Sequence, residues 1–341
     1  MSDGLRIKYE ERANCALDVY VKNVRAIWSS RDKKRGTEDV WLHVVNHASK
    51  LGEAARKHDH AEIREHLPHF LMWFFTFVGK LETNSVSFRN PQDRLIAIEN
   101  TTLDDILWNK YPGFCPFCFL KLPEAARQSM RPRLQCTCIL DLPEVEKRAE
   151  DLTEKQKEEL ERWQRLILAD YAMQHGGDRP QTIDEWDSMF EEIFGKKLFV
   201  LQFESTVFHL LEEIGEVSNS LIRLYTYNLQ RGEIATFEEL ENRRGALKNE
   251  IADVISWTFA TIIKYRQMCR VWAEAGKTKA TKSTEEWAFE QWKHINIPNL
   301  IWDHYRQKEG NYLWCPTCEK LECICRLWLL TTKKRVDSVL P

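Results

Sequence analysis

The sequence predicts an all-α fold, and three observations predict it. Apolar residues recur at helical spacing through 38–57, 60–80, 197–228 and 237–267. Capping boxes, in which a Thr or Ser and a Glu or Gln three residues on satisfy each other's backbone donors, stand at Thr153/Gln156, Thr182/Glu185, Thr236/Glu239 and Ser283/Glu286. Alternating patterns closed by hairpin turns are scarce, so short strands are expected only beside the clustered cysteines. Antiparallel helices, bundled in fours, are the expected packing.

The elements fall into two similar sets. EHLPHFLMWFFTFVGK (65–80) lies over NEIADVISWTFATIIK (249–264) without a gap, matching Trp73 to Trp257, Phe75 to Phe259 and Lys80 to Lys264. Upstream, WLHVVNHASKLGEAAR (41–56) resembles VFHLLEEIGEVSNSL (207–221). Downstream, ILWNKYPGFCPFC (106–118) resembles LIWDHYRQKEGNYLWCPTC (300–318). Similar blocks in one order indicate a tandem duplication, with copy one over roughly 10–140 and copy two over roughly 155–330. The expected division is a helical repeat at 1–100, a cysteine lobe at 101–142, a second helical repeat at 143–275, and a second cysteine lobe with a C-terminal tail at 276–341. The charged run 143–164 reads as a solvated helical linker.

Bulk properties narrow the function. A length of 341 residues suits two domains, and 43% hydrophobic residues supports packed cores. A net charge of −3 makes no electrostatic case for nucleic acid. No apolar run reaches the roughly 18 residues of a membrane span. The start, MSDGLRIKYEER, lacks the apolar core of a signal peptide, so the cytoplasm is the expected location.

The chemistry-bearing pattern lies in HLLEEIGEVSNSL (209–221) and LKNEIADVISW (247–257). Residues three or four apart share a helix face, so Glu213 pairs with Glu216 and Glu250 with Asp253. The residues between are apolar: Leu210, Leu211, Ile214, Val217, Ile251, Val254 and Ile255. Acids beside a core face are costly unless paired, and two facing carboxylate pairs make an oxygen-rich cage suited to Mg²⁺ or Mn²⁺.

The order Glu212-Glu213-x-x-Glu216, then Glu250-x-x-Asp253, resembles the MazG-like all-α nucleoside triphosphate pyrophosphohydrolases, which include dimeric dUTPases and dCTP pyrophosphatases. The resemblance covers about 60 residues of copy two directly, and copy one only through the repeat. It implies two MazG-like bundles in tandem, forming a pseudo-dimer, and hydrolysis of an NTP or dNTP to the monophosphate and pyrophosphate. Glu213, Glu216, Glu250 and Asp253 would be the Mg²⁺ ligands, and Glu212 either a residue outside that ligand set or one that helps to orient the attacking water. Lys248, Lys264, Arg243 and Arg244 are candidate phosphate contacts. Family members usually dimerise, so a homodimer of pseudo-dimers is compatible, with a nucleoside triphosphate as the expected partner and neither membrane nor nucleic acid. The sequence departs from the family in two places. The interval from Glu216 to Glu250 is longer, its extra segment 224–245 expected as an extended loop with a short helix, and Asn249 stands where the family often has an acid.

Copy one lacks the acids. His66 and His69 stand for Glu250 and Asp253. Upstream two registers are open: one sets His47 and Lys50 over Glu213 and Glu216, the other sets Lys50 and Glu53 there. Six of the ten histidines, His43, His47, His58, His60, His66 and His69, lie between 43 and 69. A site converted to a softer metal such as Zn²⁺ or Mn²⁺ is one reading; a degenerate copy kept for packing is the simpler one. His58 and His60 are expected to be solvated in a polar turn. Trp257 and Phe259 repeat Trp73 and Phe75, which argues for core packing.

Each copy ends in Cys-Pro-x-Cys followed by Cys-x-Cys. Cys115, Cys118, Cys136 and Cys138, and Cys315, Cys318, Cys323 and Cys325, are read as two structural Zn²⁺ sites. Cys15 and Cys269 stand apart as ordinary residues. A second function reading uses the same scaffold without turnover, as a nucleotide-sensing or partner-binding zinc protein. A purely structural scaffold predicts no Mg²⁺ affinity.

Overall fold

Helices make up most of a computed structural model that describes residues 7–32, 35–82, 96–98, 101–116, 171–230, 237–274, 292–306, 311–315 and 320–321. They are α1 (Leu17–Asp32), α2 (Thr37–Arg56), α3 (His60–Leu81), α4 (Leu103–Lys110), α5 (Ile183–Val200), α6 (Phe203–Gln230), α7 (Phe237–Glu274) and α8 (Ile297–Tyr305). The described residues contain no strand, only two isolated antiparallel bridges, Arg306 to Leu313 and Cys315 to Lys320, beside the second cysteine cluster. No helix among them is long and apolar enough to cross a membrane.

The capping box at Thr182/Glu185 forms as expected and opens α5. Those at Thr153, Thr236 and Ser283, and the linker 143–164, lie outside the described residues. The expected helix 197–228 is two helices: α5 ends at Val200 and α6 begins at Phe203. The apolar spacing runs through the break because Phe199 and Val200, which keep it, are exposed (64% and 60%) rather than core. The expected loop over 224–245 is mostly helix, since α6 continues to Gln230 and α7 starts at Phe237.

The chain forms two compact units that are discontinuous in sequence. The first gathers residues 1–100, 219–244 and 296–341; the second gathers 101–218 and 245–295. So α4 belongs to the second unit, and α8 belongs to the first.

In the first unit α3 packs on α1, α2 and α8. Its apolar face supplies Phe70, Phe74, Phe75 and Phe77 to a core completed by Tyr20, Val24, Val44 and Leu51. Asp59 caps α3 by accepting from the backbone N–H of Ala61 and Glu62. His58 takes a positive φ of 51° in the turn before it and is exposed, whereas His60, expected in solvent, is buried at 7% exposure. Gly79 lets α3 approach α1: an added Cβ would lie 2.3 Å from Arg25 Cδ and 3.1 Å from Val21 Cγ1.

In the second unit Arg266 of α7 fastens α5, donating to Asp187 and Glu191 at 2.8 Å each and to the Ile295 carbonyl at 3.1 Å. Phe190 stacks on Phe259 at 4.9 Å, so Phe259 is core as expected. Cys269 is also buried, and burial pushes its thiol up to about 12, so it is inert.

Gly79→Val overpacks the α1–α3 contact and is expected to destabilise the protein by about 1–3 kcal/mol, read as a lower urea midpoint. Gly215→Ala, where an added Cβ meets no atom of the described residues within 4 Å, leaves the midpoint unchanged or raises it by up to about 1 kcal/mol of helix propensity.

Candidate metal centre

Two helices build the site in the second unit. On α6, Leu210, Ile214 and Val217 are buried; on α7, Ile251, Val254 and Ile255 are. This packing leaves Glu213 and Glu216 on one helix and Glu250 and Asp253 on the other. Glu213, Glu216 and Glu250 each offer a carboxylate oxygen, and the three oxygens lie within 4.8 Å of one another. Asp253 is buried at 7% exposure.

The short helix α4 supplies two partners that the sequence reading did not name. Lys110 Nζ forms an ion pair with Asp253 Oδ2 and donates to the Asn249 carbonyl at 3.3 Å. Tyr111 donates its hydroxyl hydrogen to Asp253 Oδ1 at 2.6 Å and receives one from Ser256 Oγ at 3.0 Å. The same helix is held firmly. Thr102 and Asp105 form its capping box, Arg179 pairs with Asp105 at 2.5 Å, Trp108 donates to the Ala172 carbonyl at 2.8 Å, and Trp186 donates to Asp104 at 2.8 Å. A signal for Lys110 and Tyr111 exists in the repeat: the blocks LWNKY and IWDHY keep Trp and Tyr, and exchange Lys for His in the copy whose acid is also His.

The electrostatics follow from this crowding. Burial, reinforced by Asp253, Glu216 and Glu250, pushes the Glu213 carboxyl from 4.5 up to about 8, with Lys110 opposing. Glu250 is likewise pushed up to about 8, by burial first, then by Asp253 and Glu216, again against Lys110. One ammonium does not balance four carboxylates. All the donors are carboxylate oxygens, the set that suits Mg²⁺ or Mn²⁺, so the residues fit such an ion.

The other sequence candidates stand as follows. Glu212 is exposed and pairs with His209 at 3.2 Å. Lys248 donates to Thr101 Oγ1 at 3.1 Å, and Lys264 to the Phe199 carbonyl at 3.2 Å. Arg243 pairs with Glu239 and donates to the Arg223 carbonyl at 3.2 Å, and Arg244 pairs with Glu241 at 2.7 Å. Arg243 and Arg244 fall in the first unit, the acids in the second. Trp257, expected in the core, is half-buried, one turn beyond Asp253, and stacks on His209 at 4.5 Å. Cys115 and Cys315 are buried; Cys118, Cys136, Cys138, Cys318, Cys323 and Cys325 lie outside the described residues. Comparison with protein-family models, with curated proteins and with solved structures finds no match for this chain.

Raised carboxyl pKa values favour the folded state at low pH. Their contribution is full below the ordinary 4.5 and is lost as pH rises through about 8. His47, held down to about 3 by burial and by His69, His66 and Lys50, acts in the opposite sense, its contribution full above 6.5 and lost as pH falls. The difference between wild type and Glu250→Gln isolates the carboxyl part. In Mg²⁺-free buffer the variant is expected to melt increasingly above wild type as pH is raised from weakly acidic to mildly alkaline. A pH-independent gap in thermal melts contradicts the assignment.

Proposed function

We propose that the chain is a Mg²⁺-dependent nucleoside triphosphate pyrophosphohydrolase of the MazG-like kind, acting from the acidic site of the second unit on an NTP or dNTP. The observation that carries this reading is the convergence of Glu213, Glu216 and Glu250, within 4.8 Å, from two helices that bury Ile214, Val217, Ile251, Val254 and Ile255 beside them. A bound Mg²⁺ would neutralise triphosphate charge and lower the pKa of a water. Glu213, Glu216 and Glu250 would hold it, with Asp253 oriented by Tyr111 beside them. Lys110 adds a positive charge among the carboxylates through its pair with Asp253.

The tandem pseudo-dimer reading is supported by contacts that recur in both units. His43 stacks on Trp73 at 4.1 Å as His209 stacks on Trp257 at 4.5 Å. Tyr305 bonds His69 at 2.5 Å as Tyr111 bonds Asp253 at 2.6 Å. Burial of Cys115 and Cys315 is compatible with two structural Zn²⁺ sites. A cytoplasmic enzyme of this type would trim or deplete a nucleotide pool.

One observation favours a second reading. The Lys110–Asp253 pair already places a cation among the acids, as a nucleotide sensor without turnover would tolerate. Product analysis with a panel of NTPs and dNTPs separates the two. The enzyme yields monophosphate and pyrophosphate in Mg²⁺, and Glu213→Gln and Asp253→Asn each lower the rate by about 10–100-fold. Nucleotide binding with no turnover in Mg²⁺ or Mn²⁺ leaves the sensor and excludes the enzyme.

A further inference from the structure

The first unit holds a second cluster, made of imidazoles. His69 Nε2 lies 3.1 Å from Glu65 Oε1, and His304 Nδ1 lies 3.8 Å from Glu65 Oε2. The three groups each offer a ligand atom within 4.8 Å of the others. Donors bound to one ion at about 2.1 Å sit roughly 3–3.5 Å apart, so only small side-chain movement closes this triad on a cation. We propose that Glu65, His69 and His304 form a binding site for a divalent first-row transition-metal ion, distinct from the acidic site and independent of its activity.

The surroundings are those of a ligand set. A metal-bound imidazole typically directs its other nitrogen to a hydrogen-bond partner that fixes the ring. Tyr305 meets His69 Nδ1 at 2.5 Å, which leaves Nε2 turned to Glu65. His47 stacks against His69 with ring centroids 4.9 Å apart, and His66 lies 5.7 Å from His47. The Nδ1 atoms of His47 and His66 are buried and have no hydrogen-bond partner among the described residues. Such orphaned nitrogens are costly in a site kept only for packing.

The recurring contacts explain how the cluster arose. The His43–Trp73 stack selects the register that sets His47 over Glu213, Lys50 over Glu216, His66 over Glu250 and His69 over Asp253. In the trailing helices, His304 takes the place of Lys110 and Tyr305 that of Tyr111. The Lys–Asp pair of one unit is thus replaced by two imidazoles in the other, and Glu65 supplies the carboxylate where the other unit has Asn249. Nitrogen donors in place of oxygen shift preference from Mg²⁺ to transition metals.

The test titrates the full-length, zinc-loaded protein with Co²⁺, with excess Mg²⁺ present to occupy the acidic site. One additional equivalent is expected, with visible d–d bands but no thiolate-to-metal charge transfer. It is lost in His69→Gln and in His304→Gln and kept in His58→Gln. No equivalent beyond the thiolate sites overturns the proposal. So does an equivalent that persists in both folded cluster variants. If those variants do not fold, X-ray absorption on the wild-type Co²⁺ complex decides: two imidazole ligands support the site, and none overturns it.

Discussion

Four carboxylates share one partly buried place between two helices, and this charge has to be compensated. Leu210, Ile214 and Val217 on α6 and Ile251, Val254 and Ile255 on α7 are all buried, which holds Glu213, Glu250 and Asp253 beside the core while Glu216 stays exposed. Unpaired carboxylates at such depth protonate or recruit a cation. The raised pKa values of Glu213 and Glu250 are the first response and Lys110 is the second. Much of the second unit serves to deliver that lysine and its neighbour Tyr111. The capping box at Thr102, the Arg179–Asp105 pair and the indole bonds of Trp108 and Trp186 all fix α4.

The two units answer the same problem differently. Where the second has Glu213, Glu216, Glu250 and Asp253 and balances them in part with an ammonium, the first has His47, Lys50, His66 and His69 at the positions that match in the sequence. Neutral imidazole needs no counter-charge, which relieves the electrostatic burden, but each ring brings nitrogens that require partners when buried. Tyr305 meets that need for His69, while His47 and His66 find no partner for Nδ1 among the described residues. Trailing helices with Trp and Tyr at matched positions brace both arrangements: Trp108–Tyr111 in one unit, Trp302–Tyr305 in the other.

Much of this was legible in the residues. Helical apolar spacing located α2, α3 and α7 within a few residues, apart from the further length of α7, because in those helices the periodic residues are the buried ones. It ran α5 into α6 because Phe199 and Val200 keep the period without being buried. The acids were readable from i, i+3 spacing, a local property. Lys110 and Tyr111 were not, since they reach Asp253 across 143 and 142 residues and no local pattern carries that distance. The upstream register of copy one also needed coordinates: Lys50 fits both alignments, and only the paired His–Trp stacks separate them.

The compensation itself is open to a direct measurement. Mg²⁺ binding to the full-length protein can be followed by calorimetry near neutral pH in buffers of different ionisation enthalpy, which counts the protons exchanged. With Glu213 and Glu250 protonated beforehand, binding releases protons, and Glu250→Gln reduces their number. Mg²⁺ binding without proton release, or no Mg²⁺ binding at all, contradicts a carboxylate cage whose unbalanced charge awaits a cation.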